Sequence, residues 1–93
     1  MPTVTQNTAE SRFDIAIDGE VVGSAYYDLT ESAIVFTHTE VDPNREEKGL
    51  GSQLVQSALD QVRDDTSLRV VAQCPFVAHW LTKHEDYQDL LRR

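Results

Sequence analysis

Apolar and polar residues alternate through the first half of the chain and switch to a helical period near residue 50. In residues 11–18, Phe13, Ile15 and Ile17 fall on one side and Arg12, Asp14, Ala16 and Asp18 on the other, the period of a half-buried strand. Asp18-Gly19 is a hairpin signal, and residues 21–29 form a second strand with Val21, Gly23, Ala25, Tyr27 and Leu29 on one face. Thr30 to Ser32 turn the chain into residues 33–41, a third strand rich in β-branched and aromatic residues. Strict alternation sorts it into Ile34, Phe36, His38 and Glu40 on one face and Ala33, Val35, Thr37, Thr39 and Val41 on the other. From residue 50, Leu50, Leu54, Val55, Ala58, Leu59 and Val62 make an apolar stripe opposite Gln53, Gln56, Asp60 and Arg63, as in an amphipathic helix. This helix fades at residues 64–66. Residues 68–72 read as a short buried strand, pairing in parallel with 33–41 through a right-handed crossover. Pro75 suits the first turn of a second helix over 76–83, with Phe76, Val77, Trp80 and Leu81 as its stripe, and residues 86–91 add a final turn. The expected class is α+β, a mixed sheet in the order β-β-β-α-β-α. Residues 1–10, polar and without period, are expected to be a disordered tail, leaving 11–93 as the domain.

Ninety-three residues suffice for one small core. Sixteen acidic against eight basic residues give a net charge of −8, which argues against nucleic acid and anionic membranes as partners. The charge suits an amine-bearing partner, or plain solubility. No stretch is long and apolar enough for a bilayer, and no signal pattern opens the chain. A single cysteine forms no internal disulfide, so a cytoplasmic setting is expected. The first hairpin leaves a strand edge, compatible with a monomer or weak dimer.

Between the third strand and the first helix lies Arg45-Glu46-Glu47-Lys48-Gly49-Leu50-Gly51-Ser52. Gly-x-Gly at a helix start allows a tight turn and close approach to the backbone, while the first helical amides lack internal partners and carry the positive end of the dipole. That arrangement can hold a phosphate. It also occurs as an ordinary tight turn.

Strand, glycine loop and helix in this order resemble the acetyl-CoA signature of the GNAT superfamily of N-acetyltransferases. His38-Thr39-Glu40-Val41, a proline two residues on, Gly49-Leu50-Gly51, Cys74-Pro75-Phe76 and His84-x-x-Tyr87-x-x-Leu90-Leu91 are similar to a short GNAT-like subfamily. The resemblance implies a sheet splayed between the third and fourth expected strands, with acetyl-CoA in the splay and its pyrophosphate on the loop amides. The implied cofactor-binding residues are Val41, Arg45, Lys48, Gly49, Leu50, Gly51 and Ser52. Glu46 stands where the superfamily has Arg or Gln, which predicts weaker binding.

Acetyl transfer from acetyl-CoA to an amine, on a small molecule or a protein, needs a base to neutralise the amine and a group to meet the leaving thiolate. Glu40 is the candidate base; its plainer reading is a solvent-exposed strand end. His38 is placed to orient Glu40 or shuttle its proton, or to make an ordinary cross-strand hydrogen bond. Cys74 precedes a helix N-terminus, where a thiolate is favoured, and is a candidate for transient acylation or for protonating the departing CoA. A small buried apolar residue is its alternative. Tyr87 is read as packing. No histidine or cysteine pair has familiar zinc spacing, so no metal is assigned. A non-catalytic CoA-binding or acyl-CoA-binding module, or an adaptor domain, is the alternative function.

Overall fold

The computed structural model describes residues 2–44 and 49–93. Five strands form one sheet whose spatial order follows the chain: β1 (Thr3–Asn7), β2 (Arg12–Ile17), β3 (Glu20–Leu29), β4 (Ala33–Val41) and β5 (Arg69–Ala72). Neighbours from β1 to β4 are antiparallel, and β5 joins β4 in parallel. Helix α1 (Leu50–Asp65) makes the crossover, α2 (Pro75–Thr82) follows β5, and a 3-10 segment over Glu85–Arg92 ends the chain. The α+β mixed sheet is therefore as expected, with one strand more.

That extra strand corrects the expected tail. Thr3–Asn7 pairs along β2 from Thr3↔Ala16 to Asn7↔Arg12, and a 3-10 turn over Thr8–Glu10 connects the two strands. The turn is closed by the Glu10 N–H donating to Asn7 Oδ1 at 3.2 Å. β1 is an edge strand whose only apolar residue is Val4, so alternation gives it no signature. Polar contacts hold it instead: Gln6 Nε2 donates to Tyr27 Oη at 3.0 Å, and Gln61 Nε2 to the Val4 carbonyl at 3.2 Å.

The α1 stripe is buried as its period predicts and packs on Phe13, Ile15, Ala25, Tyr27 and Phe36. Burying each such large apolar side chain stabilises the fold by roughly 1.5–3 kcal/mol. The other helical segments attach on the same side, through Trp80 Nε1 donating to Ser52 Oγ at 2.9 Å and Tyr87 Oη to Asp60 Oδ1 at 2.6 Å. The Arg93 guanidinium donates to the carbonyls of Val62, Arg63, Thr66 and Leu68, satisfying acceptors at the end of α1. The opposite face of β1–β4 carries no helix among the described residues, and Thr5, His38 and Glu40 are exposed there.

Candidate functional site

β4 carries the site, and its character changes halfway along. Tyr27 pairs with Phe36 and Tyr26 with His38, so Thr37 is an extra residue, a β-bulge. Before the bulge, Phe36 is buried with its ring 6.3 Å from Tyr27 on the helix-covered face. After it, His38 stacks on Tyr26 on the bare face, ring centroids 5.9 Å apart. The expected face of Ile34, Phe36, His38 and Glu40 is thus broken in two. His38 and Glu40 face away from the core, whereas Thr39 turns toward it.

The partner strand ends at the same level. Parallel pairing runs from Ala33↔Arg69 to Phe36↔Ala72 and stops. The N–H groups of Gln73 and Cys74 both donate to the Phe36 carbonyl, at 3.0 and 2.9 Å, which turns the chain away into α2. Among the described residues, no strand therefore pairs with residues 37–41 of β4 on their β5 side. This is the expected splay, an open strand edge able to pair with an extended polar ligand.

The two sides of the opening carry different chemistry. On the helix side, Cys74 is 3% exposed and its Sγ lies 3.4 Å from Thr39 Oγ1, where either atom can donate. On the bare side, His38 Nε2 lies 2.9 Å from Glu40 Oε1, both side chains largely exposed. Such a pair contributes little to stability, because water and salt screen it. The catalytic candidates therefore do not form one cluster: His38 and Glu40 are brought together, and Cys74 stands on the other face. Burial fits the small-apolar reading of Cys74, and the Thr39 contact adds a polar neighbour.

The described part of the glycine loop adjoins this opening in sequence. Gly49 has φ +85°, a left-handed conformation that costs other residues about 1–2 kcal/mol, and it begins α1 without any side-chain cap. Among the described residues the first α1 amides have no side-chain cap, and no acidic residue sits in the first turn. Such a helix start has the chemistry to hold a phosphate. Gly51 has a different reason from the one expected: a Cβ there would come within 2.7 Å of the Phe76 ring, so its smallness serves the α1–α2 contact. Leu50 is buried in the core, and Ser52 Oγ accepts from Trp80. Val41 is half-buried on the free edge. Arg45 and Lys48, with Glu46, lie outside the described residues.

Three participants were not identified from sequence. Thr39 touches Cys74, Tyr26 stacks on His38, and Gly23 lies against Glu40, its hypothetical Cβ 2.9 Å from the Glu40 carbonyl. A signal for the first two was present. In residues 33–41 the apolar parity of Ile34 and Phe36 becomes polar at His38 and Glu40, the mark of an inserted residue.

Among family-level comparisons, residues 12–90 match the GCN5-related N-acetyl-transferase family. The chain belongs to this family, a member of the GNAT superfamily. Its fold is similar to that of a ribosomal-protein-alanine N-acetyltransferase from Brucella melitensis biovar Abortus 2308, with a TM-score of 0.58 and 22% identity. The match covers 81% of this chain and 59% of the other, so the chain spans about three-fifths of that neighbour's length. No curated protein sequence matches it. No helix among the described residues is long and apolar enough to cross a membrane.

Proposed function

We propose that this protein is an acetyl-CoA-dependent N-acetyltransferase acting on an amine at the open end of β4. The observation that carries the reading is the parting of β4 and β5 after Phe36, with a carboxylate on one side and a thiol on the other. Bound acetyl-CoA would supply an activated acetyl group. The Gly49–Ser52 amides hold its phosphates, and the free edge of residues 37–41 orients its extended arm, with Arg45 and Lys48 as further candidates. Glu40 takes the proton of the incoming amine at a carboxylate oxygen, steadied by His38 Nε2. Cys74 Sγ–H is the proton source on the other side, with Thr39 Oγ1 beside it. A cytoplasmic monomer or weak dimer is the setting we propose.

The experiment is a titration of labelled protein with acetyl-CoA, and with CoA separately, followed through the backbone amides. Saturable shifts centred on Gly49 to Gln53 are expected; still amides at millimolar ligand overturn the reading. Glu40→Gln should lower turnover by about 10²–10⁴-fold, the usual contribution of a positioned base, with acetyl-CoA binding retained. One observation favours a second reading, a CoA-binding module without transfer. β1 and β2 are joined by a three-residue 3-10 turn, so no helix from that connection walls an acceptor site. Binding without turnover on small or protein amines would decide for it.

A further inference from the structure

The helix-free face of the sheet is organised into two rows that cross four strands. Cross-strand register sets Asn7, Arg12, Tyr26 and His38 side by side, and next to them Thr5, Asp14, Ser24 and Glu40. The first row is aromatic and basic: the Arg12 guanidinium lies 5.9 Å from the Tyr26 ring centre, and His38 stacks against the ring from β4. The second is acidic and hydroxylic: Ser24 Oγ donates to Asp14 Oδ1 at 2.7 Å. Rungs join the rows. His38 meets Glu40 at 2.9 Å, and Arg12 Nε lies 2.9 Å from Asp14 Oδ1. The geometry at Arg12 Nε is too poor for a hydrogen bond, so that rung is a charge pair. Asp14 and Ser24 are buried although they face away from the core. A sheet face meant only for solvent has no reason to bury a carboxylate under its neighbours, since burial costs free energy unless the charge is paired.

We infer that Tyr26 is a positioning residue for Glu40, acting through His38. An exposed His–Glu pair on its own samples many rotamers, because each side chain regains entropy by letting go. Here the imidazole lies beside the Tyr26 ring in an offset, tilted stack, with planes 28° apart, and Tyr26 is itself backed by Arg12 on the neighbouring strand. His38 Nε2 is thereby kept where Glu40 Oε1 can meet it, and the carboxylate is aimed before any amine arrives. The inference rests on the acetyl-transfer reading for its kinetic consequence only; the geometric claim is independent of it.

The test compares Tyr26→Leu with Tyr26→Phe. Phe keeps the ring and Leu removes it; Tyr26→Thr, a good strand residue, replaces Leu if that variant does not fold. NMR signals of the His38 ring and the Glu40 carboxyl carbon are read in each. Both should move in Tyr26→Leu, the Glu40 signal in the direction produced by His38→Gln, and both should stay in place in Tyr26→Phe. In steady-state transfer the Leu variant should lose about tenfold in kcat, a fraction of what a misplaced base can cost, with the KM for acetyl-CoA unchanged. An unmoved Glu40 signal in Tyr26→Leu, or a Phe variant as impaired as Leu, overturns the inference. Absence of transfer in the unmutated protein would count against the proposed function, and the NMR comparison would then decide this inference alone.

Discussion

Gly23 shows how one missing methyl group lets two strands lie close together. Its hypothetical Cβ meets the Glu40 carbonyl at 2.9 Å, Ile15 Cγ2 at 3.1 Å and Val41 Cγ2 at 3.2 Å, and none of these is the loose end of a long side chain. Gly23→Ala should destabilise the protein by about 1–3 kcal/mol in urea unfolding, the usual cost of overpacking, and shift the Glu40 amide signal. Tyr87 shows the opposite economy, a buried hydroxyl with one good acceptor. Its hydrogen bond to Asp60, helped by burial, raises its pKa above the usual 10.0. A raised pKa means that the folded state favours the protonated phenol, so the bond's contribution is full below pH 10 and fades as pH rises through the higher folded value. The stability gap between wild type and Tyr87→Phe, about 1.5–3 kcal/mol for a hydrogen bond to a charged group, should be flat at neutral pH and close only in strong alkali. Asp89 behaves inversely. Its paired hydrogen bonds from Arg63 lower its pKa below 3.8, so their contribution is present above that value and lost as pH falls through the lower one. Asp89→Asn should therefore lower Tm at neutral pH, by a margin that shrinks as pH falls below 3.8.

At the scale of elements, most of the framework was legible because period reports burial. The α1 stripe has six apolar residues at helical spacing, and all six are buried. β2, β3 and β4 were found with their turns because each has one face against the core. The splay was legible only through the family resemblance, since no local pattern says where a parallel pair stops. β1 was illegible because an edge strand held by Gln6 and Gln61 needs no alternating apolar side chains. The bulge at Thr37 was missed because strict alternation was carried across it, although its parity break stood in the sequence. The site was consequently half legible: His38 and Glu40 were correctly paired, but Cys74 was grouped with side chains that the bulge sends to the other face. Helix α1 begins at a glycine for a conformational reason, so Gly49→Ala should lower stability by about 1–2 kcal/mol. Gly51→Ala should cost less, because the Phe76 ring that it meets is partly exposed and can tilt.

At the scale of the molecule, the chain is a two-layer structure with its helices on one side and a polar ladder on the other. The net charge of −8 is spread over the whole chain, whereas the ladder's own charged groups are paired, Arg12 with Asp14 and His38 with Glu40. The strand order has a consequence for how the molecule assembles. Because spatial order equals chain order, each antiparallel pairing closes over a short connection, and such near-neighbour topologies refold quickly. The parallel β4–β5 pair is the exception, closed only after the whole of α1 has been laid down, and its loop-closure entropy is the largest of the set. The cleft between those strands should therefore be the last part of the sheet to assemble and the first to unzip. Native-state hydrogen exchange would record this as earlier exchange at Val71, whose N–H faces β4, than at Ile15 and Ala25, and a ligand that bridged the open end of the pair would slow that exchange.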